Sequence, residues 1–149
     1  MGRKLGIGFL LGMLCVGVCH GTPRAEESVD QLKARVASTS LSERPHLCIQ
    51  IAEKQLDASD KLYASADVDQ AQARLTDVVA YSELARDYAI QSHKYQKQAE
   101  IAVRRMTRKL SEILHSLGKD DQAPVKDAVD RLEHVRDDLL ASMFKKGEK

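Results

Sequence analysis

One stretch without proline or glycine, from Val68 to Leu117, constrains the fold more than any other part of the chain. Within it, apolar and small residues recur at alternating steps of four and three, the heptad pattern of a helix packed against other helices. The pattern keeps its phase through the polar segment QSHKYQKQ (residues 91–98). It therefore predicts one helix of about fifty residues, roughly 75 Å long. The positions of this seam are Ala71, Leu75, Val78, Ser82, Ala85, Ala89, Ser92, Gln96, Ala99, Val103, Met106, Leu110, Ile113 and Leu117.

Two shorter helical patterns flank this stretch. One runs from Pro45 to about Ala64, and the other from Pro124 to about Phe144. Short turns join both to the long helix, and short turns make neighbouring helices antiparallel. The sequence therefore predicts an all-α fold, an elongated antiparallel helical bundle built on one long central helix (about 68–117) with two shorter helices beside it. The alternative is a compact four-helix bundle in which the long helix breaks near Ser92.

The turn before the long helix has the sequence ASADVDQAQARL (residues 64–75). Its small residue, acid, apolar residue and later alanine are Ala66, Asp67, Val68 and Ala71. This order resembles the inter-helix turn of tetratricopeptide repeats, although no second copy occurs at the period of about 34 residues that such arrays need. The resemblance implies a close helical hairpin and nothing about ligands.

The N-terminal segment has the layout of a secretory signal peptide. Arg3 and Lys4 precede an uncharged apolar run from Leu5 to Val18. A helix of about fifteen residues reaches roughly 22 Å, which is short of a membrane core of about 30 Å. Cleavage after Gly21 would place Cys19 and Gly21 at the recognition positions. We therefore expect a periplasmic or extracellular protein, with a membrane contact only if the segment is retained.

The expected organisation follows from these patterns. It comprises a cleaved signal peptide (1–21), a short helix and linker (22–42), a helical bundle domain (43–144) and a disordered tail (145–149). After cleavage Cys48 is the only cysteine, so no internal disulfide forms. Because Cys48 lies on the apolar face of its helix, we interpret it as a small buried hydrophobe. An intermolecular disulfide through Cys48 stays open.

Composition and motifs argue against several classes of function. A formal net charge of +1 gives no electrostatic case for nucleic acid. The chain has no nucleophile motif and no glycine loop for phosphate, so we expect neither an enzyme nor a cofactor. Glu112 and His115 form the ExxH pair of di-iron bundles, but such a site needs a second pair that the sequence lacks. We therefore predict no metal site.

Three tyrosines form a candidate interaction surface. Tyr81, Tyr88 and Tyr95 follow one another at steps of seven, one residue before seam positions. Tyrosine combines a large apolar area with a polar tip, as interface anchors do. The alternative interpretation is that the three rings fill the space left by small seam residues.

A basic stretch between His93 and Lys109 is the second part of that candidate surface. Its cations include Arg104, Arg105, Arg108 and Lys109. They suit an anionic partner such as an envelope polymer or lipid headgroups. The alternative is neutralisation within the chain by the acidic last helix, whose carboxylates are Asp127, Asp130, Glu133, Asp137 and Asp138.

These observations favour an exported, non-enzymatic helical protein that acts through protein–protein interaction. It would serve as an adaptor, an assembly factor or a chaperone-like module, with an unknown protein partner in the cell envelope. A thin core makes a homodimer that buries the remaining seam a further hypothesis. The alternative is a small-ligand or metal-binding helical bundle. A cavity beneath the tyrosines would favour that alternative, whereas tight packing there favours the interaction protein.

Overall fold

A computed structural model describes residues 27–145. Over this range the chain forms five α-helices and one 3-10 turn (Lys119–Asp121), with no strand. The helices are α1 (Val29–Ser38), α2 (Arg44–Ala64), α3 (Val68–Ser92), α4 (Gln96–Ser116) and α5 (Gln122–Phe144). The all-α class and the helical bundle are confirmed. The predicted signal peptide (1–21) and residues 146–149 of the predicted tail lie outside the described residues.

The chain reverses its direction between α3 and α4. His93 (φ 56°) and Tyr95 (φ 64°) both adopt the left-handed conformation, which a right-handed helix cannot contain. The prediction of one continuous helix over 68–117 is therefore wrong. The structure agrees with the alternative, a compact four-helix bundle, because the helix breaks directly after Ser92.

Contacts between the helices show that the four long helices form two antiparallel hairpins. In the first, α2 runs against α3, and Ser59 Oγ donates a hydrogen bond of 3.0 Å to the carbonyl oxygen of Ala71. In the second, α4 runs against α5, and Arg136 Nε donates a hydrogen bond of 2.9 Å to Glu100 Oε1. Each hairpin joins helices that a short turn connects, as the sequence predicts.

The two hairpins pack side by side, so the molecule is a compact bundle and not an elongated one. Helix α3 lies beside α5 and runs in the same direction, as shown by Glu83 with Arg131 (2.7 Å) and Arg86 with Asp138 (3.0 Å). Helix α2 lies beside α4 in the same way. The reversal at residues 93–95 makes this arrangement possible, because it folds α4 back along α2.

The core is built from the seam positions of both halves. In α3 and α4 these side chains are almost fully buried except at the half-buried Ser92 and Gln96 beside the break, and α2 and α5 supply the opposite wall. The seam that we expected to remain for a second copy is buried within the chain itself. Its buried positions are Ala71, Leu75, Val78, Ser82, Ala85, Ala89, Ala99, Val103, Met106, Leu110 and Ile113.

Local signals in the sequence explain where helices begin. Ser28 and Gln31 form a capping box at the start of α1. Asp67 caps α3 by accepting a hydrogen bond from the backbone N–H of Gln70, and Pro45 occupies the first turn of α2. Helix α1 packs on α2 through Leu32, which is 1% exposed.

In the part of the chain that the structure describes, no helix combines the length and the apolar character needed to cross a membrane.

Candidate interaction surface

Tyr81 lies between the two apolar clusters of the fold. Its ring packs against the main core and against the smaller cluster under α1, and Lys33 Nζ lies 5.3 Å from the ring centroid. Lys33 is itself bound to Asp77 Oδ2 at 2.8 Å, and Gln55 Nε2 donates to the same oxygen at 2.6 Å. The hydrogen bond to Asp77 raises the pKa of Lys33, and burial raises the pKa of Tyr81.

Tyr88 and Tyr95 also face basic groups of a neighbouring helix. The guanidinium carbon of Arg44 lies 5.3 Å from the centroid of the Tyr88 ring. Tyr95 Oη lies 2.8 Å from Nδ1 of His46, and the two rings meet edge to face. Burial is the main cause that raises the pKa of Tyr95.

The three tyrosines therefore do not form one stripe on one helix, because Tyr95 lies in the reversal and the other two lie on α3. All three are half-buried, and each contacts a basic side chain of α1 or α2. The small residues beside them, Ser82 and Ala89, are fully buried. These contacts are those of side chains that fill space within the fold. A role of the tyrosines in docking a partner stays a prediction.

Two of the predicted basic residues bind α2. Arg105 forms an ion pair with Glu53, and Lys109 Nζ lies 2.7 Å from Asp57 Oδ1 and 3.3 Å from Asp60 Oδ2. The hydrogen bond to Asp57 is the largest cause that raises the pKa of Lys109. The alternative interpretation, neutralisation of the basic stretch by the last helix, is therefore wrong for these two cations. Helix α2 neutralises them because the reversal brings α4 beside it.

The remaining predicted cations lie on the side of α4 that faces away from the core. Arg104 and Arg108 are exposed, together with Lys97, Ile101 and Glu112. We call these five residues the α4 outer face; they are spaced by four, three, four and four residues. Ile101 is 40% exposed. Arg104 Nε reaches Glu100 only at 4.0 Å, and Arg108 forms no ion pair or hydrogen bond with any residue in 27–145.

Helix α5 presents the opposite charge on its own outward side. Lys126, Asp130, Glu133 and Asp137, spaced by four, three and four, are all exposed, and we call them the α5 outer face. None of the four forms an ion pair with another described residue, whereas Asp138 binds Arg86 of α3. From the sequence, Asp130, Glu133 and Asp137 were considered only as possible intramolecular partners of the basic stretch. Their spacing was already enough to place them on one face.

Glu100 fixes how α4 and α5 sit against each other. It is 7% exposed, and its carboxylate binds Arg136 Nε at 2.9 Å. The hydrogen bond to Glu100 is the main cause that raises the pKa of Arg136. One turn before Glu100, at the first residue of α4, Gln96 Nε2 donates to Ser142 Oγ at 2.9 Å. Two contacts one turn apart, near the N-terminus of α4 and the C-terminus of α5, therefore define the register of the two helices.

The described part of the bundle carries grooves on its surface. A groove of about 270 Å³ between α2 and α4 is lined by residues that include His46, Tyr95 and Ile101. Among residues 27–145, no three His, Cys, Asp or Glu side chains come together as a metal site requires. Glu112 and His115 are both exposed on α4.

Comparisons with protein-family models, with curated proteins and with solved structures find no match to this chain.

Proposed function

We propose that this chain is an exported helical protein that acts through protein–protein interaction, as an adaptor, assembly factor or chaperone-like module. The observation that carries the proposal is the α4 outer face. Two arginines and a lysine are held there around an exposed isoleucine without close acidic partners. The other two predicted cations, Arg105 and Lys109, already have partners in α2 and contribute less.

The chemistry of this face suits an acidic protein surface. An arginine binds a carboxylate through two parallel N–H···O bonds, and such charge-assisted bonds are stronger than neutral ones. Ile101 adds exposed apolar area between Lys97 and Arg104, and apolar area that loses its water on binding stabilises an interface. Complementary charge raises the rate of association and selects the partner.

A small-ligand or metal-binding bundle is the second candidate, and the packing beneath the tyrosines supports it less. Ser82, Ala85 and Ala89 are each 0% exposed. Ser82 Oγ donates its hydrogen bond to the carbonyl oxygen of Val78, so it is not aimed into an open space. We therefore place the interaction protein first.

Export is the part of the proposal that rests on the sequence of residues 1–21 alone. The intact mass of the protein purified from its own host tests it directly. We expect the mass that remains after removal of residues 1–21, with nothing added. The full-length mass, or a mass with a lipid attached, would contradict the proposal and indicate an anchor.

Site-specific photocrosslinking tests the interaction surface. A photoreactive amino acid replaces Ile101 in cells that make the full chain. In a separate control variant it replaces Ala73, an exposed position on α3. We expect protein adducts from position 101 and none from position 73. The double variant Arg104→Glu/Arg108→Glu should abolish the adducts, whereas Arg74→Glu on α3 should leave them unchanged. An absence of adducts from position 101 would overturn the proposal.

A further inference from the structure

The two outer faces carry opposite charges in the same order. Along the α4 outer face the charges are positive at Lys97, Arg104 and Arg108 and negative at Glu112. Read in the opposite direction, which is that of an antiparallel neighbour, the α5 outer face is negative three times and then positive. The negative members are Asp137, Glu133 and Asp130, and the positive member is Lys126. The sign therefore changes at the same end of both faces.

The register of α4 and α5 places these charges at matching heights along the bundle. Glu100 is level with Arg136, and Gln96 is level with Ser142. Counting along both helices from these contacts, Arg104 is level with Glu133 to within about two residues, or about 3 Å. The same count makes Arg108 level with Asp130 and Glu112 level with Lys126, while Lys97 falls within about one turn of Asp137.

Within one chain these charges do not meet, because both faces point outward from neighbouring helices. A second copy changes this. A twofold axis parallel to the helices keeps every residue at its own height and lays α4 of one copy over α5 of the other. Such an interface is isologous, so each pair forms twice. The dimer would therefore contain two copies of the pairs Arg104 with Glu133, Arg108 with Asp130 and Glu112 with Lys126.

We infer that the acidic partner of the α4 outer face is the α5 outer face of a second copy of this chain. This inference rests on the proposed function, since it names the partner of the surface proposed there. Two neighbouring helices about 10 Å apart and about 30 Å long offer roughly 600 Å² per copy. A total of about 1,200 Å² lies at the lower limit of stable interfaces. Charge therefore has to contribute a large share of the association, and the dimer is sensitive to salt.

Analytical ultracentrifugation gives the first test. The sample is the protein as purified from the cells that make it. The screening length falls from about 30 Å at about 0.01 M salt to about 3 Å at about 1 M. We expect dimers at the low salt concentration and an association at least tenfold weaker at the high salt concentration. A monomer at both concentrations would overturn the inference.

Charge-reversed variants give the decisive test. In Arg104→Glu, a glutamate would face Glu133 twice in the dimer, and in Glu133→Arg, an arginine would face Arg104 twice. Each variant alone should associate at least about tenfold more weakly than the original chain, because like charges oppose each other. A mixture of the two variants should recover the association, since both contacts in the mixed dimer join opposite charges. Unchanged helical circular dichroism of both variants excludes a loss of folding.

Two results separate a failure of this inference from a failure of the proposed function. If the mixture stays monomeric while the original chain dimerises, α4 does not face α5 of the partner, and the inference is wrong. If the adducts from position 101 have the mass of this chain joined to a different protein, the proposed function holds and the inference fails. Adducts with twice the mass of this chain support both.

Discussion

Tyr95 Oη and Nδ1 of His46 lie 2.8 Å apart, and this contact ties the reversal between α3 and α4 to the first turns of α2. Gln50, one turn later on α2, lies 3.0 Å from the other ring nitrogen of His46. Both nitrogens of the imidazole are therefore occupied. The ring is held in one orientation at the point where the chain changes direction.

Removal of the Tyr95 hydroxyl should weaken this connection. In Tyr95→Phe, Nδ1 of His46 loses its partner, and we expect the free energy of unfolding to fall by about 0.5–1.5 kcal/mol. Urea denaturation measures the change. Tyr88→Phe is the matched control, because no described residue hydrogen-bonds to the Tyr88 hydroxyl. Equal effects of the two variants would contradict the role of the His46 contact.

Substitution of His93 tests the reversal itself. His93 is exposed and has φ 56°, a conformation that glycine adopts at no cost and alanine does not. We expect His93→Gly to be more stable than His93→Ala by about 1 kcal/mol. A continuous helix would give the opposite sign, because glycine costs about 1 kcal/mol relative to alanine inside a helix. Thermal or urea unfolding of the two variants decides between the two folds.

The Cys48 thiol should be inert in the folded protein. It is 0% exposed, and burial raises its pKa from 9.0 to about 11, with a smaller opposing effect of Arg44. Because the thiolate is the reactive form, modification should require unfolding. In a Cys15→Ser/Cys19→Ser background, we expect a thiol reagent to label Cys48 no faster than the chain unfolds globally. Labelling at the rate of the urea-denatured protein would show that the thiol is accessible.

The same pKa predicts how stability depends on alkaline pH. A raised pKa in the folded state means that the unfolded chain loses its proton first, so stability is intact below pH 9.0 and falls as the pH rises towards about 11. The raised pKa values of Tyr63, Tyr81 and Tyr95 act in the same direction. Cys48→Ala should therefore show a shallower decline than the original chain in urea titrations at alkaline pH. Identical slopes would contradict the assignment to Cys48.

Leu32 should control whether α1 stays attached to the bundle. It packs with Leu47 and Ile51 in a cluster separate from the main core. A buried Leu→Ala change costs about 2–5 kcal/mol. A helix as short as α1 is not stable by itself, so it cannot compensate for this loss. We expect Leu32→Ala to accelerate amide hydrogen exchange over residues 29–38 while α3 stays protected. Ala34→Ser, on the exposed side of α1, is the control, and equal exchange in both variants would contradict this arrangement.

The heptad pattern predicted the buried face of α3 and of α4 correctly, and it failed at the break between them. Periodicity reports which side of a helix faces the core, and Ala89 and Ala99 keep the same phase on either side of the reversal. Glycine normally marks a left-handed residue, but here His93 and Tyr95 adopt that conformation. No glycine therefore marked the break. The contacts of α4 with α2 and of α3 with α5 impose the bend from a distance in sequence.

The candidate surface was predictable to a similar degree. The exposure of Arg104 and Arg108 follows from their positions opposite the seam. The partners of Arg105 and Lys109 did not follow, because Glu53 and Asp57 come beside α4 only after the chain reverses. The tyrosines show the same limit. Their spacing placed them beside the seam, but the basic groups that cover them come from α1 and α2.

The unbroken phase of the seam has a consequence for the order in which the molecule folds. If residues 93–95 were helical, the apolar positions of α3 and α4 would form one continuous stripe along a single helix. The local sequence is therefore compatible with both the straight and the bent chain. Each hairpin can begin from contacts near its own turn, such as Ser59 with Ala71, which are close in sequence, and such contacts form early. We therefore expect each hairpin to close first and the bend to form last, when the two finished halves meet.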